Sequence, residues 1–121
     1  MNPHRAEKIC SIEGWPRLEP GTLNLILSAA EFEALRSLTP VWVEDGASIV
    51  YPPRYAHIPR ERGPYLYYRG RATAGPNKEN VLLRRPTNAI STTIELYAPV
   101  KLMAVLNVGD GERVKVEVHA T

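Results

Sequence analysis

The sequence predicts a small, mainly β barrel folded as one domain of 121 residues. Three observations carry that expectation. Short runs with alternating apolar and polar residues recur along the chain. Only one segment carries a complete helix-start signal. Turn dipeptides containing Gly or Pro separate the runs.

In chain order, residues 1–8 are polar and expected to be frayed. Ile9 to Ile12 reads as a short strand, and Glu13-Gly14-Trp15-Pro16 as a turn. Pro20-Gly21 is a second turn, because Pro presets one backbone angle and Gly tolerates positive φ beside it. The strand Thr22–Leu27 follows, with Leu23, Leu25 and Leu27 on one side and Thr22 and Asn24 on the other. Ser28 and Glu31 form the S-x-x-E capping box of a helix. Its apolar face is Phe32, Leu35 and Leu38, and Thr39-Pro40 ends it. Val41–Val43 and Ala47–Tyr51 read as strands around the turn Glu44-Asp45-Gly46.

Pro52 to Pro64 is an extended basic connection, and connections of that length tend to be functional. Tyr65–Ala72 and Glu79–Arg84 read as strands joined through Gly75-Pro76-Asn77. Thr92–Tyr97 sets Ile94, Leu96 and Ala98 against Thr93, Glu95 and Tyr97. Pro99 suits a helix N1 position, so Pro99–Leu106 is expected as a short helix. Gly109-Asp110-Gly111 turns the chain into the strand Arg113–His119, whose Val114, Val116 and Val118 face inward while His119 meets solvent.

Composition bounds the function. Charged residues make up 23% and apolar residues 44%, as in an ordinary soluble domain. No apolar run has transmembrane length and no signal-peptide core follows Met1. The single Cys10 cannot form an internal disulfide and fits a reducing cytoplasm; it reads as a packed or half-exposed thiol. Between Arg54 and Arg85 the basic residues Arg54, Arg60, Arg62, Arg69, Arg71, Lys78, Arg84 and Arg85 meet only Glu61 and Glu79. Such a local excess fits an anionic ligand or a solvated surface. A net charge of only +2 argues against a nucleic-acid partner, although Tyr65, Tyr67 and Tyr68 would suit base stacking. There is no Walker loop, zinc spacing or Ser-His-Asp arrangement, and no catalytic residue stands out.

Thr22 and Asn24 present a hydroxyl and an amide carbonyl side by side. They are either the solvent face of a half-buried strand or half a site for a hard cation such as Mg²⁺, which takes oxygen ligands.

Four blocks, in this order, carry a resemblance. They are Pro20-Gly21-Thr22-Leu23-Asn24-Leu25, Arg85-Pro86-Thr87, Ile94 to Leu102 (I-E-L-Y-A-P-V-K-L), and Gly109-Asp110-Gly111 before the valine strand. Over residues 18–119 the chain resembles the archaeal CTP-dependent riboflavin kinase family. The resemblance implies a closed six-stranded cradle-loop barrel with one or two short helices. It also implies transfer of a phosphoryl group from CTP to riboflavin with Mg²⁺, giving FMN. By position it implies Thr22 and Asn24 as metal ligands and Thr87 and Glu95 as flavin contacts. Val100, Lys101, Leu102 and Met103 fall on the segment against the nucleotide. The chain departs from the pattern in two places. Gly14 alone precedes Gly21 where the family has a glycine-rich phosphate loop, and Met103 stands where an arginine is usual. A non-catalytic flavin- or nucleotide-binding barrel of the same lineage is therefore the alternative, and a nucleic-acid module ranks below it.

Overall fold

Among the described residues six strands form one antiparallel sheet, and its centre is a long hairpin. The computed structural model describes residues 3–20, 22–44, 62–88 and 92–119. The strands are β1 (Leu23–Ile26), β2 (Trp42–Glu44), β3 (Arg62–Ala74), β4 (Asn77–Asn88), β5 (Thr93–Tyr97) and β6 (Lys115–Val118). Three helices accompany them: α1 (Pro3–Glu13), α2 (Ala29–Ala34), continued by a 3-10 turn at Leu35–Ser37, and α3 (Leu102–Leu106). The sheet order is β1-β5-β4-β3-β2, with β6 also paired to β3.

The β3–β4 hairpin turns through Gly75 and Pro76, since Ala74 pairs with Asn77. Gly75 adopts φ 57°, a backbone angle that a side chain would strain. β3 is long enough to serve two partners. Tyr65, Leu66 and Tyr67 pair with β2, whereas Gly70 to Thr73 pair with β6. Among the described residues no pairing joins β1 to β2 or β6, so what they form is a curled half-barrel, without the pairing that would close it.

Both faces of the sheet are covered. On one, Tyr68, Ala72, Val81, Leu83, Ile94 and Leu96 form the larger core, with Leu35, Leu102 and Leu106 from the helical segments packed on them. On the other, Tyr65, Tyr67, Leu82 and Tyr97 surround Ile9 of α1, flanked by Trp15, Leu18 and Trp42. Period-2 alternation produces this division: Leu66 and Tyr68 of β3 go one way, Tyr65 and Tyr67 the other.

The capping box is formed as the sequence implies. Ser28 Oγ accepts from the Glu31 N–H at 3.1 Å, and Glu31 Oε1 accepts from the Ser28 N–H at 2.8 Å. Such a cap contributes about 1 kcal/mol. Phe32, Leu35 and Leu38 pack against the larger core, also as expected.

The N-terminus departs from expectation. Residues 3–13 are a helix, not a frayed end followed by a strand. Arg5, Ile9 and Glu13 are spaced i, i+4, i+8 and so share one face. Arg5 pairs with Glu44, Ile9 is fully buried, and Glu13 pairs with Arg69. A contact stripe that is charged at both ends leaves no hydrophobic period to read.

Four smaller corrections follow. Pro99 does not start a helix: it lies in a bend with Val100, and Lys101 is the N-cap of α3. Leu102 and Leu106, four apart, are what α3 buries, and it stops at Asn107 in the left-handed region at φ 54°. β2 runs one residue further than the expected Val41–Val43, to Glu44, whose side chain is buried, and the rest of the expected turn 44–46 lies outside the described residues. Residues 62–64 belong to β3 and not to the irregular connection. The last strand is confined to Lys115–Val118. The strand expected at 47–51 and the basic connection at 52–61 lie outside the described residues.

Candidate functional site

The pairing of β1 with β5 decides what the sequence-marked residues can do together. Leu23 stands opposite Leu96, and Asn24 opposite Glu95. Directly opposed residues in an antiparallel pair project from the same face. The register continues the row: Glu95 opposes Arg84, Arg84 opposes Tyr67, and Tyr67 opposes Trp42. Asn24, Glu95, Arg84, Tyr67 and Trp42 therefore cross five strands on one face.

Along that row the polar groups are tied to one another. Arg84 Nη2 lies 3.0 Å from Glu95 Oε2, with side-chain exposures of 12% and 27%. The Tyr97 hydroxyl donates to the same carboxylate oxygen. Arg84 sits 4.2 Å from the centre of the Tyr65 ring, and Arg5 approaches that ring at 5.5 Å. Arg5 Nε donates to both Glu44 oxygens at 3.0 Å, and the Tyr67 hydroxyl donates to Glu44 Oε1 at 3.1 Å. The Tyr67 ring stacks on Trp42 at 4.2 Å. Two guanidiniums thus meet two carboxylates beneath α1.

Burial shapes the ionisation of this network. It alone would pull Arg5 down, but the Glu44 hydrogen bond and the neighbouring charges outweigh it and hold Arg5 above its ordinary value. Arg84 behaves alike, with Tyr97 and Glu95 overcoming desolvation. Burial, reinforced by Tyr97 and Glu44, raises Tyr67, and burial raises Tyr97 against the opposing pull of Arg84. A phenol raised in the folded state stays protonated there while its unfolded counterpart ionises. The stability it contributes is complete below the ordinary tyrosine value of 10.0 and is lost as pH rises beyond it. Unfolding midpoints followed by circular dichroism should fall as pH rises above about 10, and Tyr67→Phe should make that fall shallower; an unchanged profile in the variant would contradict this origin.

The other sequence-marked residues are distributed as follows. Thr22 is half-buried and precedes β1, and Asn24 is exposed. Thr87 shares its side of β4 with Arg85, opposite to that of Arg84, and so projects from the other face than Glu95. Its hydroxyl donates to the Pro64 carbonyl at 2.9 Å. Thr87 and Glu95 are therefore not brought together on one face. Val100 packs on the larger core and Leu102 is buried, which leaves Lys101 and Met103 as the exposed side chains of that segment. Tyr65, Tyr67 and Tyr68 are all buried, at 4%, 0% and 1%, so their rings are core and not a platform for bases.

A cleft of about 510 Å³ opens beside β1, lined by residues 24–27, Glu31 and residues 111–114. Asn24 is one of its polar groups. The Thr22 hydroxyl and Asn24 amide oxygen are the neutral oxygen donors that Mg²⁺ accepts, so the chemistry of the pair fits. The pair is only part of a coordination shell. Among the described residues no group of three or more His, Cys, Asp or Glu could hold a metal. A cation here would need further ligands beyond this pair.

Arg5 and Glu44 are the residues of this network that the sequence does not mark for a site. Arg5 and Glu44 lie 39 positions apart, and no local pattern links them. Comparison with protein-family models, with curated proteins and with solved structures finds no match.

Proposed function

We propose that the chain is a riboflavin-kinase-like phosphotransferase domain of the cytoplasm, moving a phosphoryl group from CTP to riboflavin with Mg²⁺. One observation supports this reading above the rest. The two blocks that the resemblance assigns to one site, Pro20–Leu25 and Ile94–Leu102, are far apart in sequence, yet β1 and β5 pair and set Asn24 opposite Glu95. The reading takes the curled six-stranded sheet as the cradle-loop barrel of that family.

In this reading Thr22 and Asn24 hold the cation, which supplies charge neutralisation at the phosphates. Phosphoryl transfer is mostly positioning and charge compensation, so few side chains need to react. Glu95 is held by Arg84 and Tyr97 and serves to position a ligand group. Lys101, exposed at the start of α3, adds positive charge on the nucleotide side.

A second reading, a non-catalytic flavin- or nucleotide-binding domain, is favoured by α1. It occupies the N-terminal part of the chain where the family carries its phosphate loop. Turnover separates the two. Purified protein with CTP, riboflavin and Mg²⁺ is expected to form FMN, seen by chromatography. Thermal stabilisation by flavin or nucleotide without FMN leaves the binding reading, and stabilisation by neither rejects both.

Asn24→Ala is the test of the metal pair. The residue is exposed, so its loss should shift stability by less than about 0.5 kcal/mol. The Mg²⁺-dependent part of CTP-induced thermal stabilisation should disappear. If that part is retained in full, Asn24 is not a ligand.

A further inference from the structure

The larger core contains a charge that the kinase reading does not use. Arg85 is only 6% exposed and lies on the core face of β4, opposite Leu66 of β3. Among the described residues its partners are all neutral. Nε donates to the Tyr68 hydroxyl at 3.3 Å, and Nη1 donates to the Pro86 carbonyl at 3.1 Å. The guanidinium lies 5.5 Å from the centre of the Phe32 ring. The ion pairs of the described residues engage Arg5, Arg36, Arg69, Arg84 and Lys115, and Arg85 is in none of them.

The contrast with Arg84, its neighbour in sequence, is informative. Arg84 is comparably buried and has Glu95 at 3.0 Å. A buried cation without a counter-charge bears its desolvation penalty uncompensated, and neutral hydrogen bonds recover only part of it. A guanidinium carries five N–H donors, and the two bonds above leave donors to spare. Those donors are not sealed. The fully buried side-chain polar atom left without a partner among the described residues is Thr73 Oγ1, and no Arg85 nitrogen shares that state.

We propose that Arg85 is the anchor of an anion site in the larger core face, taking a planar or tetrahedral oxyanion, a phosphate or carboxylate group, on its free N–H edge. Tyr68 and the Pro86 carbonyl fix the guanidinium from the other side, and Phe32 covers its face. Bidentate oxyanion recognition is what a fixed guanidinium does better than a lysine. Thr87, exposed, projects from the same face of β4 two residues on. This proposal does not rest on the kinase reading, because it concerns an anion alone.

Inorganic phosphate is the probe, compared with chloride at equal ionic strength and pH. Phosphate is expected to raise the unfolding temperature of the wild type in a saturable way. Arg85→Met keeps much of the side-chain volume and removes the charge; it should abolish the phosphate response while leaving the phosphate-free protein as stable as the wild type or more so. Arg85→Lys keeps the charge but not the fork, and should weaken phosphate binding at least tenfold. No phosphate-specific shift in the wild type overturns the proposal. So does an unaltered response in either variant, or an Arg85→Met protein that is strongly destabilised without phosphate, since that would make the arginine structural. Should Arg85→Met fail to fold, that too counts against it, and the lysine variant then reports whether the fork matters to phosphate.

Discussion

Glu44→Ala is expected to cost about 3–5 kcal/mol of folding stability, the range for breaking a buried ion pair from one side. Glu44 and Arg5 expose only 6% and 11% of their side chains. Removing the carboxylate leaves the guanidinium buried beside the Tyr65 ring with its main acceptor gone. It also strips the acceptor from the Tyr67 hydroxyl, on a residue that is fully buried. Each unsatisfied buried donor adds about 1–3 kcal/mol. Stabilities of this order approach the whole margin of a small domain, so the variant is expected to be largely unfolded at physiological temperature.

The double variant Arg5→Met/Glu44→Leu separates the charge from the packing. Replacing both ions with apolar groups removes the desolvation penalty on each side, so the double variant should be more stable than Glu44→Ala alone. Urea denaturation of the wild type, both single variants and the double variant gives the coupling. If Glu44→Ala lies within 1 kcal/mol of the wild type, α1 is not held to the sheet through this pair.

That network marks where the sequence stopped being readable. The strand Leu23–Ile26 was legible because its alternation is local: Leu23 and Leu25 are half-buried, Asn24 and Ile26 exposed. The capping box was legible because both partners lie within one turn. The hairpin at Gly75-Pro76 was legible because turn chemistry is carried by two residues. By contrast, Arg5 finds Glu44 across 39 residues and Arg69 finds Glu13 across 56. Helix α1 was misread for the same reason, since its sheet-facing stripe spells Arg, Ile, Glu.

The candidate site shows the same boundary. The placing of Asn24 and Glu95 on strand faces that oppose their apolar neighbours follows from alternation. Their becoming cross-strand partners follows only from the β1–β5 register, which no residue in either block dictates. The relation of Thr87 to Glu95 failed at that level too. Glu95 sits on an expected strand but Thr87 lies beyond the expected Glu79–Arg84, and only the extension of β4 to Asn88 and its pairing with β5 show that the two leave opposite faces. The burial of Tyr65, Tyr67 and Tyr68 depends on there being cover on both faces, which α1 and the α2 segment provide.

Gly70→Ala tests the seat of β6, and is expected to destabilise by about 1–3 kcal/mol, or more if the strand detaches. Gly70 pairs with Val118, and a Cβ placed on it would lie 2.4 Å from the Glu117 carbonyl oxygen. That atom belongs to the backbone, so no side-chain rotation relieves the clash, and β3 and β6 must separate. Val116 and Val118 would then be drawn off the larger core. The bond from the His119 N–H to the Arg69 carbonyl, 2.8 Å long, would be strained with them. Gly109→Ala is the control, because its new Cβ would find only Glu112 Oε1 at 3.6 Å, an ordinary contact. Denaturation should leave the control near the wild type, within about 0.5 kcal/mol. Amide exchange in Gly70→Ala should accelerate first at Val116 and Val118, ahead of β4 and β5, because an edge strand opens at less than the global cost. If the variant matches the wild type in both measurements, β6 does not approach β3 at Gly70 as closely as the register requires.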